Sequence, residues 1–350
     1  MLKASRLGVA AVALGALALT ACSTGTTGGD DTSSDGPHFV YITPEALGIN
    51  EFLKLGDAGT KAAAEELGGT AETFESDGTE QSMRSNIEAA LDDAPDAIVL
   101  TTFQLTAFAL EYATDNPEQP FVLIDDCPVV EGDLPSNLYC AQFAEYEGAY
   151  LAGVEAGHLT QTGSVASVGA LDTPFINRYT DSFALGAQSV DAAITDSQTF
   201  VGGDNPFADP VGAKEVALAA LESGADQIFA ATAGGNGGVF EAAQEQNAFS
   251  YGVDINQCGQ AEGVVVDNVI KKIDVVVLDQ LTAIVDGEAG GSSTIYDLAS
   301  GGLSLTGLEE GVADSGCVIA EHPEVIEAVE AARDAIIAGD IVVPDPIAAG

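Results

Sequence analysis

The sequence has no tryptophan and is poor in positive charge. Its 350 residues include 10 Lys and Arg against 55 Asp and Glu, which gives a formal net charge of −45. A surface this negative repels nucleic-acid phosphates and anionic lipid, which argues against a nucleic-acid-binding protein. The missing tryptophan argues against a carbohydrate site built on indole stacking, although Tyr and Phe remain available. The acids are dispersed along the chain, which favours a solvated surface suited to high salt; an ordinary acidic extracellular protein is the alternative.

Motifs for catalysis and for metal binding are also lacking. The three histidines, His38, His158 and His322, form no His-Glu-x-x-His pattern, and the chain has no Gly-x-Ser-x-Gly elbow. The spacing of the many carboxylates singles out no catalytic pair. We therefore expect a binding protein with no cofactor and no metal, and an enzyme that works with carboxylates alone is the alternative.

The N-terminus has the pattern of an export signal. Two basic residues precede an apolar run over 7–19 that is too short for a stable membrane span. The run ends in Leu19-Thr20-Ala21-Cys22, which resembles the bacterial lipobox, whose cysteine becomes lipidated. We predict a lipoprotein signal over 1–22 and a flexible Gly/Ser/Thr/Asp-rich tether over 23–37. The protein would then be extracytoplasmic and held at the cell membrane by lipid alone; an ordinary secretory signal is the alternative.

Four further cysteines suit an oxidising compartment. Cys127 and Cys140 are close in sequence and flank adjacent predicted strands, so we expect them to form one disulfide. Cys258 and Cys317 are then left to form the second. A metal site is the alternative, but no Cys-x-x-Cys motif or nearby histidine accompanies them.

The segment 143–187 divides two similar halves of the chain. It predicts a small-residue helix to about His158, a buried strand at Ser164–Gly169 and a helix from about Pro174. On either side, apolar runs such as Ala97–Thr101 alternate with helical segments, as in parallel sheets covered on both faces. The pattern predicts an α/β protein with two doubly wound parallel-sheet lobes joined by crossovers, and a ligand cleft between the lobes.

The order of the segments predicts that the chain crosses between the lobes more than once. We expect 38–142 and about 255–290 to form lobe one, and 143–254 and about 291–345 to form lobe two. In the second half we expect a strand at Val264–Asn268 and a long helix from about Val269 to Val285. A last short strand is expected at Ile341–Val343.

Four segments together resemble a known family. They are Phe143-Ala-Glu-Tyr-Glu-Gly-Ala-Tyr-Leu-Ala-Gly153, Gly224-Ala-Asp226, Gly252-Val-Asp254 and Ile336-Ile-Ala-Gly-Asp-Ile-Val-Val-Pro344. Their order and spacing resemble the basic membrane protein family, the purine-nucleoside-receptor-like substrate-binding lipoproteins of ABC transporters. The resemblance covers nearly all of the mature chain. It implies a monomer with the type I periplasmic-binding-protein fold, which closes on a nucleoside and delivers it to an ABC permease.

Two residues are candidates for ribose recognition. Asp254 ends an apolar strand, so its carboxylate should project into the cleft, where it can accept two hydroxyl hydrogen bonds; a turn cap is the alternative. The resemblance implies the same ribose contact. Lys271, at the start of the predicted helix, matches the ribose-binding lysine of the family, although adjacent Lys272 leaves a solvated helix face open. Asn268 stands where the family has a serine before that lysine.

A glycine-rich turn is a further candidate. Gly234, Gly235 and Asn236 open a helix and offer backbone N–H groups to sugar or anion oxygens. A tight turn between a strand and a helix is the equally good alternative, and the lysine of a P-loop is missing.

Aromatic and polar residues are the candidates for recognition of the base. Phe52 aligns with a base-stacking phenylalanine of the family, and Phe175 is a second candidate ring, each worth ~1–3 kcal/mol; ordinary core is the alternative for both. The acidic base-reading residue of the family is missing, which leaves Gln104 or Thr106 to read a base edge. The segment before Phe52 is shortened, and Asn50 is its remaining polar residue. A receptor for another heterocycle such as a flavin, and a sensing or signalling lipoprotein of the same fold, therefore stay open.

Replacement of the lipobox cysteine tests the predicted anchor. Cys22→Ala should release the protein from membranes, because a lipid chain is the only anchor that the mature sequence predicts. Cell fractionation and immunoblotting against the wild-type chain measure this. A variant that still sediments with membranes after a high-salt wash would contradict the lipoprotein prediction.

Overall fold

Residues 36–347 are described by the computed structural model. In this part of the chain no helix is long and apolar enough to cross a membrane. Cys22, the predicted signal 1–22 and all of the predicted tether before residue 36 lie outside the described residues. The lipid anchor therefore stays a prediction.

Strands and helices alternate along most of the chain. The strands are β1 His38–Thr43, β2 Thr70–Glu75, β3 Ala97–Thr101, β4 Phe121–Ile124, β5 Leu138–Phe143, β6 Ser164–Gly169, β7 Thr195–Phe200, β8 Gln227–Ala231, β9 Phe249–Asp254, β10 Val265–Lys271, β11 Ser292–Tyr296 and β12 Leu303–Leu305. The α-helices are α1 Glu51–Glu66, α2 Glu80–Asp93, α3 Thr106–Asp115, α4 Glu145–Leu159, α5 Pro174–Val190, α6 Pro210–Glu222, α7 Asn236–Gln246, α8 Ile273–Val285 and α9 Pro323–Ile337.

The sheet of lobe one is parallel throughout, in the order β11-β5-β4-β3-β1-β2. Every residue of its central strand Ala97–Thr101 is buried. Side chains along each strand alternate between the two faces. Phe39 and Tyr41 pack with α1 and α8, whereas Val40 and Ile42 pack with α2 and α3 on the other face. Helices therefore cover both faces, as continuous apolar strands predict.

The sheet of lobe two has the order β12-β10-β9-β8-β6-β7. Its pairings are parallel except for the edge strand β12, which runs antiparallel to β10. One continuous hydrophobic core fills this lobe, with side chains from both faces of the sheet and from the helices around it. The predicted architecture of two doubly wound α/β lobes is confirmed.

The small residues of α4 allow close packing against α5. A Cβ atom on Gly153 would collide with the Phe183 carbonyl oxygen, and one on Gly186 would collide with the Tyr150 carbonyl oxygen. The two helix backbones therefore touch where these glycines face each other. The sequence predicts this close approach from the small residues of the segment before His158.

The first crossing between the lobes, after β5, lies where the sequence predicts it, but the other two lie at different places from those expected. Strand β10 pairs with β9, so residues 255–271 belong to lobe two and not to lobe one. Strand β11 pairs with β5, so residues 292–296 belong to lobe one and not to lobe two. The physical reason is that apolar strands of similar composition can pair in either sheet, and the pairing depends on contacts with segments distant in sequence. The crossings follow β5, β10 and β11.

The end of β10 and the end of the chain also correct the sequence predictions. The strand continues to Lys271, and α8 begins at Ile273 instead of about Val269. Val269 and Ile270 pair with both β9 and β12, and this two-sided pairing keeps the β-branched run in the sheet. The strand predicted at Ile341–Val343 does not form.

Both predicted disulfides are confirmed. Cys127, in the loop after β4, is bonded to Cys140 of β5, with Cα atoms 5.4 Å apart. Cys258, after β9, is bonded to Cys317, before α9, with Cα atoms 4.9 Å apart. The second bond closes the longer segment, with a sequence separation of 59 against 13. It should therefore restrict the unfolded chain more strongly.

Replacement of each cysteine pair by serine tests these bonds. We expect the free energy of unfolding to fall by about 4 kcal/mol for Cys258→Ser/Cys317→Ser and by about 3 kcal/mol for Cys127→Ser/Cys140→Ser, from the entropy of the loops they close. Urea unfolding measures both, and peptide mapping without reductant identifies the linked pairs. Four free thiols in the oxidised wild-type chain would refute the assignment.

Candidate ligand-binding site

A cleft lies between the lobes, at the carboxyl ends of parallel strands from both sheets. This is the usual ligand position in open α/β sheets. A cavity of about 60 Å³ occupies its centre, and an adjoining groove of about 810 Å³ shares part of its wall. Small-molecule pockets typically measure roughly 300 Å³ or more, so the lobes must part to admit a ligand into the central cavity.

Six residues selected from the sequence line the central cavity. They are Asn50, Phe52, Gln104, Phe175, Asp254 and Lys271. The first three come from lobe one and the last three from lobe two, so both lobes contribute to one site. Thr106, the alternative base reader, donates a hydrogen bond to Asp126 at 2.5 Å instead.

The ammonium of Lys271 is the charged centre of the cleft. Lys271 ends β10, and its side chain is 2% exposed. Its Nζ lies 2.6 Å from Asp125 Oδ1 and 3.1 Å from Glu145 Oε1. Asp125 follows β4 of lobe one, whereas Glu145 begins α4 of lobe two. One cation therefore links carboxylates of both lobes.

A second buried cation completes the charge network. Arg178 of α5 is 3.2 Å from Glu145 Oε2 through its Nη1 atom and 2.8 Å from Asp345 Oδ2 through its Nη2 atom. Glu145 is thus held between Lys271 and Arg178. A buried carboxylate is stable in its charged form only when such partners replace water.

Four aromatic rings surround the Lys271 ammonium. The distances from Nζ to the ring centroids are 4.8 Å for Phe52, 5.2 Å for Phe143, 5.5 Å for Phe175 and 5.4 Å for Tyr179. At such distances the faces of aromatic rings attract a cation. The rings also exclude water from the ion pairs. Phe52 and Phe175, proposed from the sequence as stacking rings, therefore both contact the cation.

Phe175 also faces a ring of the opposite lobe. Its centroid lies 5.3 Å from that of Phe103, which in turn is 6.0 Å from Phe207. Phe103 follows β3 of lobe one, and Phe207 precedes α6 of lobe two. The aromatic wall of the cleft is therefore larger than the pair Phe52 and Phe175.

Burial sets the protonation of the acids in the cleft. It raises the pKa of Asp254 to about 6, against the opposing effect of the Lys271 ammonium. It raises the pKa of Glu145 to about 7, again opposed by Lys271. Both pKa values lie above those of exposed acids, so the folded chain binds protons more tightly than the unfolded chain. The stabilising effect of these groups is therefore present at low pH and is lost as pH rises through 6 and 7.

The strand ends in the cleft have an unusual backbone conformation. Of the six non-glycine residues with a left-handed φ within 36–347, four line the cavity: Thr102, Asp125, Ala233 and Asp254. Such conformations cost about 1–3 kcal/mol each and are found where the surrounding structure imposes them, often at functional sites. These conformations direct the four residues at the carboxyl ends of β3, β4, β8 and β9 toward the cleft.

The glycine-rich turn lies beside the cavity and not in its wall. Gly234 packs against Ile49 of lobe one and lines a separate surface groove, and Gly235 packs against Thr232. The Oδ1 atom of Asn236 accepts hydrogen bonds from the N–H and the hydroxyl of Thr232, and its Nδ2 donates to Gln257. The turn joins β8 to α7, which is the alternative that the sequence leaves open.

Asn268 also lies outside the cavity. Its Nδ2 donates to Cys258 Sγ and Thr306 Oγ1, and its Oδ1 accepts from the Gln257 N–H. The amide therefore supports the Cys258–Cys317 disulfide region. The amides of Asn236 and Asn268 therefore bond to the fold and not to the cavity.

Sequence reasoning missed several groups in the cleft. Asp125 follows the apolar strand Phe121–Ile124 as Asp254 ends its own strand, so the same strand-end rule would have found it. Glu145 lies within the family-like segment but has no such signal of its own. Tyr179 is one helical turn after Phe175, and only the packing of α5 shows that it faces the cation.

Two adjacent lysines provide a matched test of the buried cation. Lys271→Ala should lower the free energy of unfolding by about 3–5 kcal/mol, because Asp125 and Glu145 lose their partner in a dry site. Lys272→Ala removes a surface pair with Glu309 and should cost less than about 1 kcal/mol. Urea unfolding measures both.

The pH dependence of the free energy of unfolding provides a second test of the role of Lys271. The loss for Lys271→Ala should be smaller at pH 5 than at pH 8, because Glu145 and Asp254 are mostly protonated in the folded chain at pH 5. Equal losses for the two lysine variants would contradict the central role of Lys271.

Comparison with known proteins supports this architecture. Residues 50–332 match the family model described as Bmp, ABC transporter substrate-binding protein PnrA-like. An ABC transporter solute-binding protein from Aeropyrum pernix has the same fold, with a TM-score of 0.75 and 24% identity over 88% of this chain and 94% of that chain. The type I periplasmic-binding-protein fold is thereby confirmed.

Two relatives of known sequence extend the comparison. The ABC transporter nucleoside-binding protein BmpA of Lactococcus lactis is 27% identical over 97% of this chain and 98% of its own. Basic membrane protein A of Borreliella burgdorferi is 28% identical over 54% of this chain and 55% of its own. With its family model matched over most of its length and its cleft formed by both lobes, the chain belongs to the Bmp family of PnrA-like ABC transporter substrate-binding proteins.

Proposed function

We propose that this substrate-binding protein is a lipid-anchored receptor that closes on a nucleoside and delivers it to an ABC permease. The observation that carries the proposal is that Asp254 and Lys271 line one cavity whose wall also contains aromatic rings. Substrate-binding proteins of ABC importers work outside the cytoplasm, in agreement with the export signal of the sequence. The printed name of the Lactococcus lactis relative, a nucleoside-binding protein, supports the same ligand class.

Asp254 and Lys271 offer complementary groups to a ribose. A carboxylate accepts two hydrogen bonds, one from each hydroxyl of a diol. Within residues 36–347 the Asp254 carboxylate receives no hydrogen bond, and the residue is 6% exposed. The Lys271 ammonium has three N–H donors; it donates one hydrogen bond to Asp125 and lies 3.1 Å from Glu145 Oε1 as a charge contact, which leaves a donor for a ligand oxygen.

The aromatic wall suits a flat heterocycle. Phe103 from lobe one faces Phe175 and Phe207 from lobe two, and these rings approach each other across the cleft. A base inserted between rings of the two lobes would gain about 1–3 kcal/mol per stacked face. Since each lobe supplies one side, a bound base would also hold the lobes together.

Ligand entry requires the lobes to move apart. The crossings after β5, β10 and β11 are the segments around which such a movement takes place. Lys271 immediately precedes one of them. Opening would separate it from Asp125 of lobe one and leave it beside Glu145 of lobe two.

Removal of the Asp254 carboxylate tests the ribose contact. Asp254→Ala should weaken nucleoside binding about tenfold to a hundredfold, since a hydrogen bond to a buried charge is worth about 1.5–3 kcal/mol. Asp254→Asn should lie between this variant and wild type. Calorimetry with inosine, guanosine, adenosine and their free bases measures the effect.

Matched controls accompany this measurement. Asp133→Asn alters an exposed acid of lobe one and should leave every affinity unchanged. The free bases should bind weakly and respond little to either Asp254 variant. Wild-type affinity for nucleosides should also fall from pH 8 to pH 5, because the Asp254 carboxyl has a pKa of about 6 and loses its acceptor charge on protonation. Equal affinity for base and nucleoside would refute the ribose assignment.

A further inference from the structure

Two polar side chains, Glu45 and Gln104, lie in the lobe-one wall that the central cavity shares with the wider groove. Glu45 is two residues beyond β1, and Gln104 is three residues beyond β3. Strands β1 and β3 are parallel neighbours, so both side chains leave the same edge of the sheet side by side. This edge also carries Phe103, one of the rings of the aromatic wall.

We propose that Glu45 and Gln104 read the edge of the base and select guanosine over adenosine. The inference rests on the proposed function, and it goes further by naming the base. Its support is the hydrogen-bonding capacity that each side chain has left after its contacts with the fold.

Glu45 presents an oriented acceptor. Its Oε1 lies 3.4 Å from the Nδ2 of Asn50, and Asn50 is itself held as the N-cap of α1 by the Leu53 N–H. The Glu45 side chain is half-buried, and within 36–347 no other group donates to its carboxylate. A carboxylate in its ionised form has acceptors only, so it needs N–H or O–H donors from a ligand.

Gln104 presents a donor. Its Oε1 accepts a hydrogen bond of 2.5 Å from the hydroxyl of Thr102, so its NH₂ group is the part left to face a ligand. Thr102 has a left-handed φ of 76°, which is one of the backbone conformations found around the cavity. The turn after β3 thus holds the amide of Gln104 against Thr102, two residues earlier in the chain.

The pair of groups matches the edge of guanine. Guanine has N–H donors at N1 and N2 next to each other, which can bond to the two oxygens of one carboxylate, and its O6 acceptor beside them can accept from an amide. Hypoxanthine keeps N1–H and O6 but lacks the amine at N2. Adenine has one exocyclic amine and no N–H in the ring, so it can make only part of this pattern.

The test compares three nucleosides on wild type and Glu45→Gln by calorimetry. Wild type should bind guanosine about tenfold or more tightly than adenosine, with inosine between them, since each lost charge-assisted bond is worth about a factor of ten or more. In Glu45→Gln the ratio of guanosine to adenosine affinity should fall about tenfold. Glu118→Gln, an exposed lobe-one acid outside the cleft, should keep the wild-type ratio.

A second variant tests the amide. Gln104→Glu places an acceptor against O6, so it should weaken guanosine and inosine more than adenosine. Thermal melting of both variants checks that α1 and the turn after β3 remain folded. The ratio of affinities, and not a uniform loss, identifies base reading, because a purely structural effect would weaken all three nucleosides alike.

Each outcome has a distinct meaning. Equal wild-type affinities for guanosine and adenosine, or an unchanged ratio in Glu45→Gln, overturn the inference while the nucleoside receptor stands. Failure of wild type to bind any of the three nucleosides overturns the proposed function and this inference together. A lower ratio in Glu45→Gln, with the control at its wild-type value, supports base selection by Glu45.

Discussion

The buried ammonium of Lys271 is the interaction on which the site depends. It pairs with Asp125 across the cleft and with Glu145 in its own lobe, and four aromatic rings exclude water from these pairs. Inside such a site a charged carboxylate without a partner destabilises the fold, so the strand ends of both sheets have to converge on one cation. The left-handed backbone at Asp125 and Asp254 follows from the same requirement, since each carboxylate must turn inward at the end of its strand.

The charge cluster lies next to a segment where the chain crosses between the lobes. Strand β10 ends at Lys271, and α8, which packs on α1 of lobe one, begins two residues later. The cation therefore sits where the chain passes from one lobe to the other. Its bond to Asp125 depends on closure of the lobes, whereas its bond to Glu145 is formed within lobe two. Ligand binding, closure of the lobes and the pairing of charges therefore all involve the side chain of Lys271.

The strong local patterns in the sequence are sufficient to predict the fold and part of the site. Continuous apolar runs such as Ala97–Thr101 predict parallel strands buried on both faces, and the small residues of α4 predict close packing against its neighbours, of which α5 is one. Asp254 was found because a strand end carries its own signal. Asn236 and Asn268 show the limit of this reasoning: each has a polar group near the cleft, but hydrogen bonds to other parts of the fold occupy it. Whether an amide faces a cavity or the interior depends on neighbours that are distant in sequence.

The sequence by itself therefore determined the α/β class, the two lobes, the cysteine pairs and the candidate residues Asp254, Lys271, Phe52 and Phe175. These conclusions follow from periodicity, from residue type and from a resemblance spread along the chain. Only the tertiary structure decided that β10 belongs to lobe two and β11 to lobe one, because strands of similar composition can pair at either sheet. The tertiary structure alone also brought Asp125, Glu145 and Lys271 together, since their contact joins segments far apart in the chain and depends on both lobes at once.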